Sequence, residues 1–236
     1  MIRTVFFDAG HTLLHAQPSV AAIYSREARR MGARVTAAQI ARAWPPIWTA
    51  FTRAYAENPA NGAASEAQDR AMWHTLLEHL VEALPALKAL DFEAWFGRLY
   101  ALFGTAEVWR LYGDSLHALR ALQRARVRVA VVSNWDARLR RIATELGLDD
   151  YVEEYVISAE VGARKPDVRI FERALEAMNA KPAETVHVGD LYDEDIVGAQ
   201  RAGIRAVLID RHGKPAHASG RFEVVGSLRE LIRLTK

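Results

Sequence analysis

Between residues 114 and 210 the chain switches back and forth between two periodicities, and that alternation limits the fold more than any single residue does. A helix marked by Leu116, Leu119 and Leu122 leads into an apolar strand at 127–132, then a helix through Leu139, Ile142 and Leu146. Strands are expected again at 155–158, 185–188 and 206–210, with helices at 170–178 and 196–202 between them. Strands separated by helix-length crossovers cannot pair as hairpins; they assemble as a mostly parallel sheet with helices on both faces. Residues 2–7, Ile-Arg-Thr-Val-Phe-Phe, add a strand at the start of the chain that ends on Asp8, with Gly10 to break it. The fold class is therefore α/β.

The stretch between these parts has only helical period. Val20, Ile23, Tyr24 and Met31, then Ile40, Trp44, Ile47, Trp48, Phe51 and Tyr55, fall on the repeat of amphipathic helices. Leu76, Leu77, Leu80, Val81 and Leu84 mark a third helix; Phe92, Trp95, Phe96, Leu99, Tyr100 and Phe103 mark a fourth that Gly104 ends. Pro45 and Pro46 lack the backbone donors of a helix interior, so the second helix should kink or split there, and 58–65 reads as a loop. Residues 16–103 are expected to form an all-helical unit inserted into a sheet domain made of 1–15 and 104–236.

Composition narrows the chemistry. With 236 residues, 50% of them hydrophobic, the chain can build a full core in one large domain or two. No run of about 18 uncharged apolar residues and no secretory leader at Met1 can be read, so no membrane partner is expected and the location expected is cytoplasmic. Cysteine is absent, which removes disulfides and thiolate chemistry and leaves carboxylates and histidines to hold a metal, a set suited to a hard cation. A net charge of only +2, with arginines scattered along helices, argues against nucleic acid as a partner and for a small anion. His15, His74, His79 and His117 lack metal-ligand spacing, and Arg164 reads as a surface residue. A monomer and a homodimer are both compatible with the apolar surface of the insert.

Asp8, Ser133 with Asn134, and Asp190 each follow the last apolar residue of an expected strand, and Lys165 precedes a helix. Open parallel sheets bind ligands beyond the carboxyl ends of their strands, so these distant residues are expected to meet. Taken singly, each has a structural explanation as a cap or a turn; taken together they form a site. Two carboxylates can hold Mg2+, a hydroxyl and an amide can bind phosphate oxygens, an ammonium can offset charge, and one carboxylate can attack. Trp135 and Tyr192 follow these residues, and either substrate contact or packing would account for them.

Phe6-Phe7-Asp8-Ala9-Gly10-His11-Thr12-Leu13 resembles the first motif of the haloacid dehalogenase-like (HAD) hydrolase superfamily, and Val132-Ser133-Asn134 its second. Lys165-Pro166-Asp167 with Ile170-Phe171 resembles the third, and Val188-Gly189-Asp190 with Asp195-Ile196-Val197-Gly198-Ala199 the fourth. The resemblance spans roughly 1–14 and 105–210, with the helical insert where helical-cap (C1) members carry their cap. It implies a Rossmann-like core and a Mg2+-dependent hydrolase, a phosphatase that acts on a small phosphorylated metabolite through an aspartyl-phosphate intermediate. By position, Asp8 would be nucleophile and metal ligand, Gly10 would lend its carbonyl and Asp190 its carboxylate to Mg2+, and Asp195 would stand behind them. Ser133 and Asn134 would hold the phosphoryl group, and Lys165 would tie it to the nucleophile.

One position departs from the pattern. Phosphatases of this superfamily usually carry a second Asp two residues after the nucleophile, as general acid and base, and Gly10 stands there. Such a group contributes ~10²–10⁴-fold, so alkyl phosphates should suffer more from its absence than aryl or acyl phosphates. His11 is the candidate replacement, because an imidazole ordinarily titrates near neutrality. Haloacid dehalogenase or phosphonatase chemistry is the alternative, though Lys88, the only lysine between 15 and 103, lies late in a helix and the acidic 190–195 segment favours a metal. A catalytically impaired HAD-fold binding protein is the other, against which the retention of Asp8, Lys165 and Asp190 weighs.

Overall fold

The computed structural model describes residues 1–56, 64–211, 213 and 222–235. In chain order the strands are β1 (Thr4–Phe7), β2 (Leu14–Ala16), β3 (Trp109–Leu111), β4 (Arg128–Ser133), β5 (Glu154–Ile157), β6 (Thr185–Gly189), β7 (Arg205–Ile209) and β8 (Glu223–Val225). Six of them form one sheet in the order β5-β4-β1-β6-β7-β8, and every neighbouring pair is parallel. The period of two in the strands explains the layers on either side. Val5, Phe7, Val129 and Val131 face one apolar cluster, while Phe6, Ala130 and Val132 face the other.

The helices follow the amphipathic repeats. Helices α1 (Val20–Arg30), α2 (Ala37–Ala56), α3 (Glu66–Ala83) and α4 (Phe92–Leu102) come from the insert. They bury a core of their own around Ile23, Ile40, Leu80, Trp95 and Phe96. Helices α5 (Ser115–Arg124), α6 (Arg138–Glu145), α7 (Ser158–Val161), α8 (Val168–Ala177) and α9 (Gly198–Arg201) flank the sheet. The antiparallel ribbon of β2 and β3 carries the chain from the sheet domain into the insert and back. Among the described residues no helix is long and apolar enough to cross a membrane.

Helix α2 is not split at Pro45 and Pro46, one of the two outcomes expected there; it continues as one element through both prolines. The donors lost at the prolines would have bonded the carbonyls of Ala41 and Arg42, and both of those residues, like the prolines, are exposed. Carbonyls open to solvent do not need an intrahelical partner, so the cost of the two rings falls where it is smallest. Ser65, read as the end of a loop, is instead the N-cap of α3, its hydroxyl accepting from the Gln68 amide; the rest of that loop through 63 lies outside the described residues. Lys88 follows a 3-10 turn, Pro85–Leu87, rather than sitting in a helix, and is exposed.

Close packing sets the junction of α8 and α9. A Cβ on Gly198 would lie 2.7 Å from Phe171 Cε2 and 3.0 Å from Pro166 Cα, so only glycine lets α9 approach. Gly198→Ala should cost about 1–3 kcal/mol of stability, as overpacking does. Urea denaturation is expected to show a lower midpoint at unchanged slope.

Candidate active site

The register of the three central strands puts the functional residues in one place. Phe7 is level with Val131 of β4 and Val188 of β6, so Asp8, Ser133 and Asp190 all emerge at the carboxyl edge of the sheet. The Asp8 amide donates to the Val188 carbonyl at 2.9 Å, which extends the pairing by one residue and fixes the direction of its side chain. Oδ1 of Asp8 accepts from Ser133 Oγ at 2.8 Å and from Lys165 Nζ at 2.7 Å.

Lys165 is buried, with Nζ also 2.6 Å from Asp195 Oδ1. Burial alone would lower its pKa, but Asp195, Asp8 and Glu194 outweigh burial and raise it, so the ammonium keeps its charge. Its backbone is held by Asn134, whose Oδ1 accepts from the Lys165 amide at 2.7 Å and whose Nδ2 donates to the Lys165 carbonyl at 3.0 Å. The same Nδ2 donates to Glu194 Oε2 at 2.7 Å. Each polar atom of the Asn134 side chain is thus engaged by protein, and what that amide does in this structure is place Lys165.

Asp195 is fully buried in a π-helical turn, Tyr192–Val197, whose wider coil turns its carboxylate back toward β6. Oδ1 also accepts from His187 Nε2 at 2.8 Å, and Oδ2 from the Leu191 amide at 2.9 Å. Burial opposes the charge on Asp195, yet Lys165 and His187 hold its pKa well below the usual carboxylate range. Burial lowers the pKa of His187, so the ring is neutral and gives its one N–H to Asp195, leaving buried Nδ1 without a hydrogen-bond partner. Gly189 makes room for this carboxylate: a Cβ there would sit 2.0 Å from Asp195 Cγ.

Asp8, Asp190 and Asp195 offer oxygens that lie within 4.8 Å of one another. Burial raises the pKa of half-buried Asp190, and Asp8 and Asp195 push it further in the same direction against the pull of Lys165. The cluster therefore carries more negative charge than Lys165 alone compensates. Gly10 follows, its carbonyl accepting from the Thr12 amide at 2.6 Å. His11, at φ 54°, is exposed at the rim of the site, its carbonyl accepting from Arg211 Nε at 3.2 Å. The structure thus brings Asp8, Ser133, Lys165, Asp190 and Asp195 together, puts Asn134 behind them and leaves His11 on the outer turn.

Sequence reasoning missed His187, Glu194 and the residues that dock the insert. A histidine between two valines in a central strand was the available signal, since a buried ring nitrogen there needs a partner. Arg164 is not the surface residue it reads as: only 14% of its side chain is exposed, and it pairs with buried Asp69 of α3 at 3.5 Å. Nearby, Glu66 accepts from the Ala137 amide at 2.7 Å, and Tyr100 of α4 donates to buried Asp136 at 3.2 Å. The Arg138 guanidinium lies 3.5 Å over the Tyr100 ring.

Comparison with known proteins shows the family of the chain. A sequence profile of haloacid dehalogenase-like hydrolases matches residues 2–203. The chain is 30% identical over 221 residues to haloacid dehalogenase-like hydrolase domain-containing protein 3 of Danio rerio, covering 92% of this chain and 88% of that one. It is 35% identical over 135 residues to a glyceraldehyde 3-phosphate phosphatase of Methanothermobacter thermautotrophicus, covering 55% of each chain. The magnesium-bound HAD-hydrolase YfnB of Bacillus subtilis superposes with a TM-score of 0.75 at 18% identity, over 100% of this chain and 99% of that one.

The burial of Asp69 generates a pH dependence. Burial pushes the Asp69 carboxyl from its ordinary 3.8 up to about 6, although Arg164 pulls the other way. An acid whose pKa is raised by folding binds its proton more tightly in the folded state, so stability falls as pH rises from about 4 to 6. The fall is at most roughly 3 kcal/mol, at about 1.4 kcal/mol per pKa unit. Asp69→Asn should flatten that part of the profile and leave the protein the more stable of the two above pH 6, as measured by thermal unfolding across the range.

Proposed function

Because the chain belongs to the haloacid dehalogenase-like hydrolases, we propose that it is a phosphatase in which Asp8 attacks the phosphorus of a small phosphorylated metabolite. The observation that carries this reading is the charged Lys165 held between Asp8 and Asp195 at the carboxyl edge of the sheet. Both partners of the Asp8 carboxylate grip Oδ1, which leaves Oδ2 as the attacking oxygen. Attack forms a bond from that oxygen to phosphorus and breaks the bond to the leaving group, whose oxygen departs with the electron pair. Water then attacks the aspartyl phosphate, releasing inorganic phosphate and restoring the carboxylate. Lys165 offsets charge through both steps, Ser133 keeps the carboxylate from rotating, and Asn134 keeps Lys165 in reach.

The donor set fits Mg2+: the clustered atoms are carboxylate oxygens, and Asp190 is crowded by like charge that a cation would relieve. Asp8 and Asp190 would hold the ion together with the Gly10 carbonyl, which has a second lone pair beyond its bond to Thr12. Asp195 would support them without ligating, since Lys165, His187 and the Leu191 amide already occupy it. When bound, the ion would screen the phosphoryl charge. The helical unit 16–103 would serve as the cap that excludes water and selects substrate. For leaving groups that need a proton, His11 on the turn after Gly10 is the proposed donor.

The test is hydrolysis of p-nitrophenyl phosphate and acetyl phosphate with and without Mg2+. Wild-type turnover should require the metal, and Asp8→Asn should lower it by ~10⁴-fold or more, as loss of a nucleophile does. Metal-independent release of halide from a 2-haloacid, with no phosphate released, would replace this reading by the dehalogenase one. His11→Ala should lower turnover of glycerol 3-phosphate by ~10²-fold or more and leave acetyl phosphate unchanged. Equal effects on both substrates would remove His11 from the chemistry.

A further inference from the structure

Gly10 invites a second question, because nothing in its own backbone requires glycine. Its φ lies outside the left-handed region, unlike those of Gly32, Gly147, Gly162, Gly203 and Gly213. Of the surrounding groups, the one a Cβ at this position would meet is the indole of Trp135, with Cζ3 at 3.5 Å. That is ordinary van der Waals contact, so the backbone would accept a side chain, but any side chain longer than a methyl would have to run along the indole or displace it. Trp135 therefore lies against the flank of the site that a residue two places after Asp8 would otherwise occupy.

The backbone of Trp135 is anchored on both sides of its Cα, and the ring packs on a neighbouring indole. The Trp135 amide donates to Ser158 Oγ at 3.1 Å, and its carbonyl accepts from Ser158 Oγ at 3.0 Å and from the Ala159 amide at 3.1 Å. Ser158 is fully buried, which ties this loop to the end of β5. The ring packs edge to face on Trp109, with centroids 5.0 Å apart, and stays half-buried, so part of its surface remains open. Trp135 follows Ser133 and Asn134 directly, at the mouth of the same site.

Resting on the phosphatase reading for its chemistry, we propose that Trp135 is a specificity-determining residue that selects aryl phosphates. The leaving group meets an aromatic surface where another side chain could have stood. A phenolate departs with its electron pair and needs little protonation, and its ring gains stacking and apolar contact with the indole. An alkyl leaving group gains neither.

Binding separates this proposal from the chemistry. Isothermal titration of wild-type protein in Mg2+ with phenylphosphonate and with methylphosphonate, neither of which is a phosphate ester, should show a preference of roughly tenfold for the phenyl compound. Trp135→Ala should abolish the preference while binding methylphosphonate as the wild type does, and Trp135→Phe should restore most of it. In turnover, Trp135→Ala should raise KM for p-nitrophenyl phosphate at nearly constant kcat and leave acetyl phosphate unaffected. A wild type without phenyl preference, or a Trp135→Ala variant that weakens both phosphonates equally, would overturn the assignment. Failure of turnover with the phenyl preference intact would remove the phosphatase reading alone.

Discussion

A buried ammonium must be matched by buried negative charge, and Lys165 is matched twice over, by Asp8 and by Asp195. Stripping an ion of water costs several kcal/mol even after relaxation, so the pairing is not an efficient way to stabilise a sheet edge. Most of the surrounding detail is organised to hold it. The Asn134 side chain closes on both backbone polar atoms of Lys165, which sets where the long side chain begins. The π-helical turn, the Leu191 amide and His187 hold Asp195, which sets where it ends. Gly189 is bare because the Asp195 carboxylate fills the volume its Cβ would need.

The loops after the strands divide their residues between this site and the insert. After β4, Ser133 to Trp135 serve the site, while Asp136, Ala137 and Arg138 meet Glu66 and Tyr100 of the helical unit. Before α8 the order is reversed: Arg164 reaches Asp69 of the insert and Lys165 reaches Asp8. Insert and sheet are therefore fastened by the residue next to Lys165 and by residues that follow Ser133 on the same loop. These contacts are polar and partly buried, and an aromatic chain from Phe103 through Trp109 to Trp135 joins the two cores beside them, Trp109 packing against both.

What could be read from the sequence was whatever leaves a local period or a strand end. Repeats of two placed the sheet strands through β7 within about two residues of where they lie, and repeats of three to four found every long helix, although α3 begins ten residues before its first marker Leu76; strand ends pointed to Asp8, Ser133 and Asp190. The ribbon of β2 and β3 escaped because each strand is three residues long and its partner lies across the whole insert. Strand β8 is equally short. The continuity of α2 through Pro45 and Pro46 depended on which face of the helix was exposed, and Arg164 depended on a partner almost a hundred residues away. Asn134 follows a strand end as expected, but only coordinates reveal that its amide addresses a neighbouring backbone.

Two glycines of the site show how the same residue type can follow from different causes. At Gly189 a side chain is excluded by a carboxylate 2.0 Å from where its Cβ would lie, and that carboxylate cannot move without releasing Lys165 and His187. At Gly10 the nearest obstacle is an indole edge at 3.5 Å, so the position would tolerate a side chain that the chain does not supply. The first glycine is a condition for the charge network to exist. The second leaves Asp8, Lys165 and the carboxylate cluster intact and alters only what stands on one flank of Asp8. On the proposed phosphatase reading, attack on phosphorus and treatment of the leaving group would be carried by separate residues, and a change in the second would not dismantle the first.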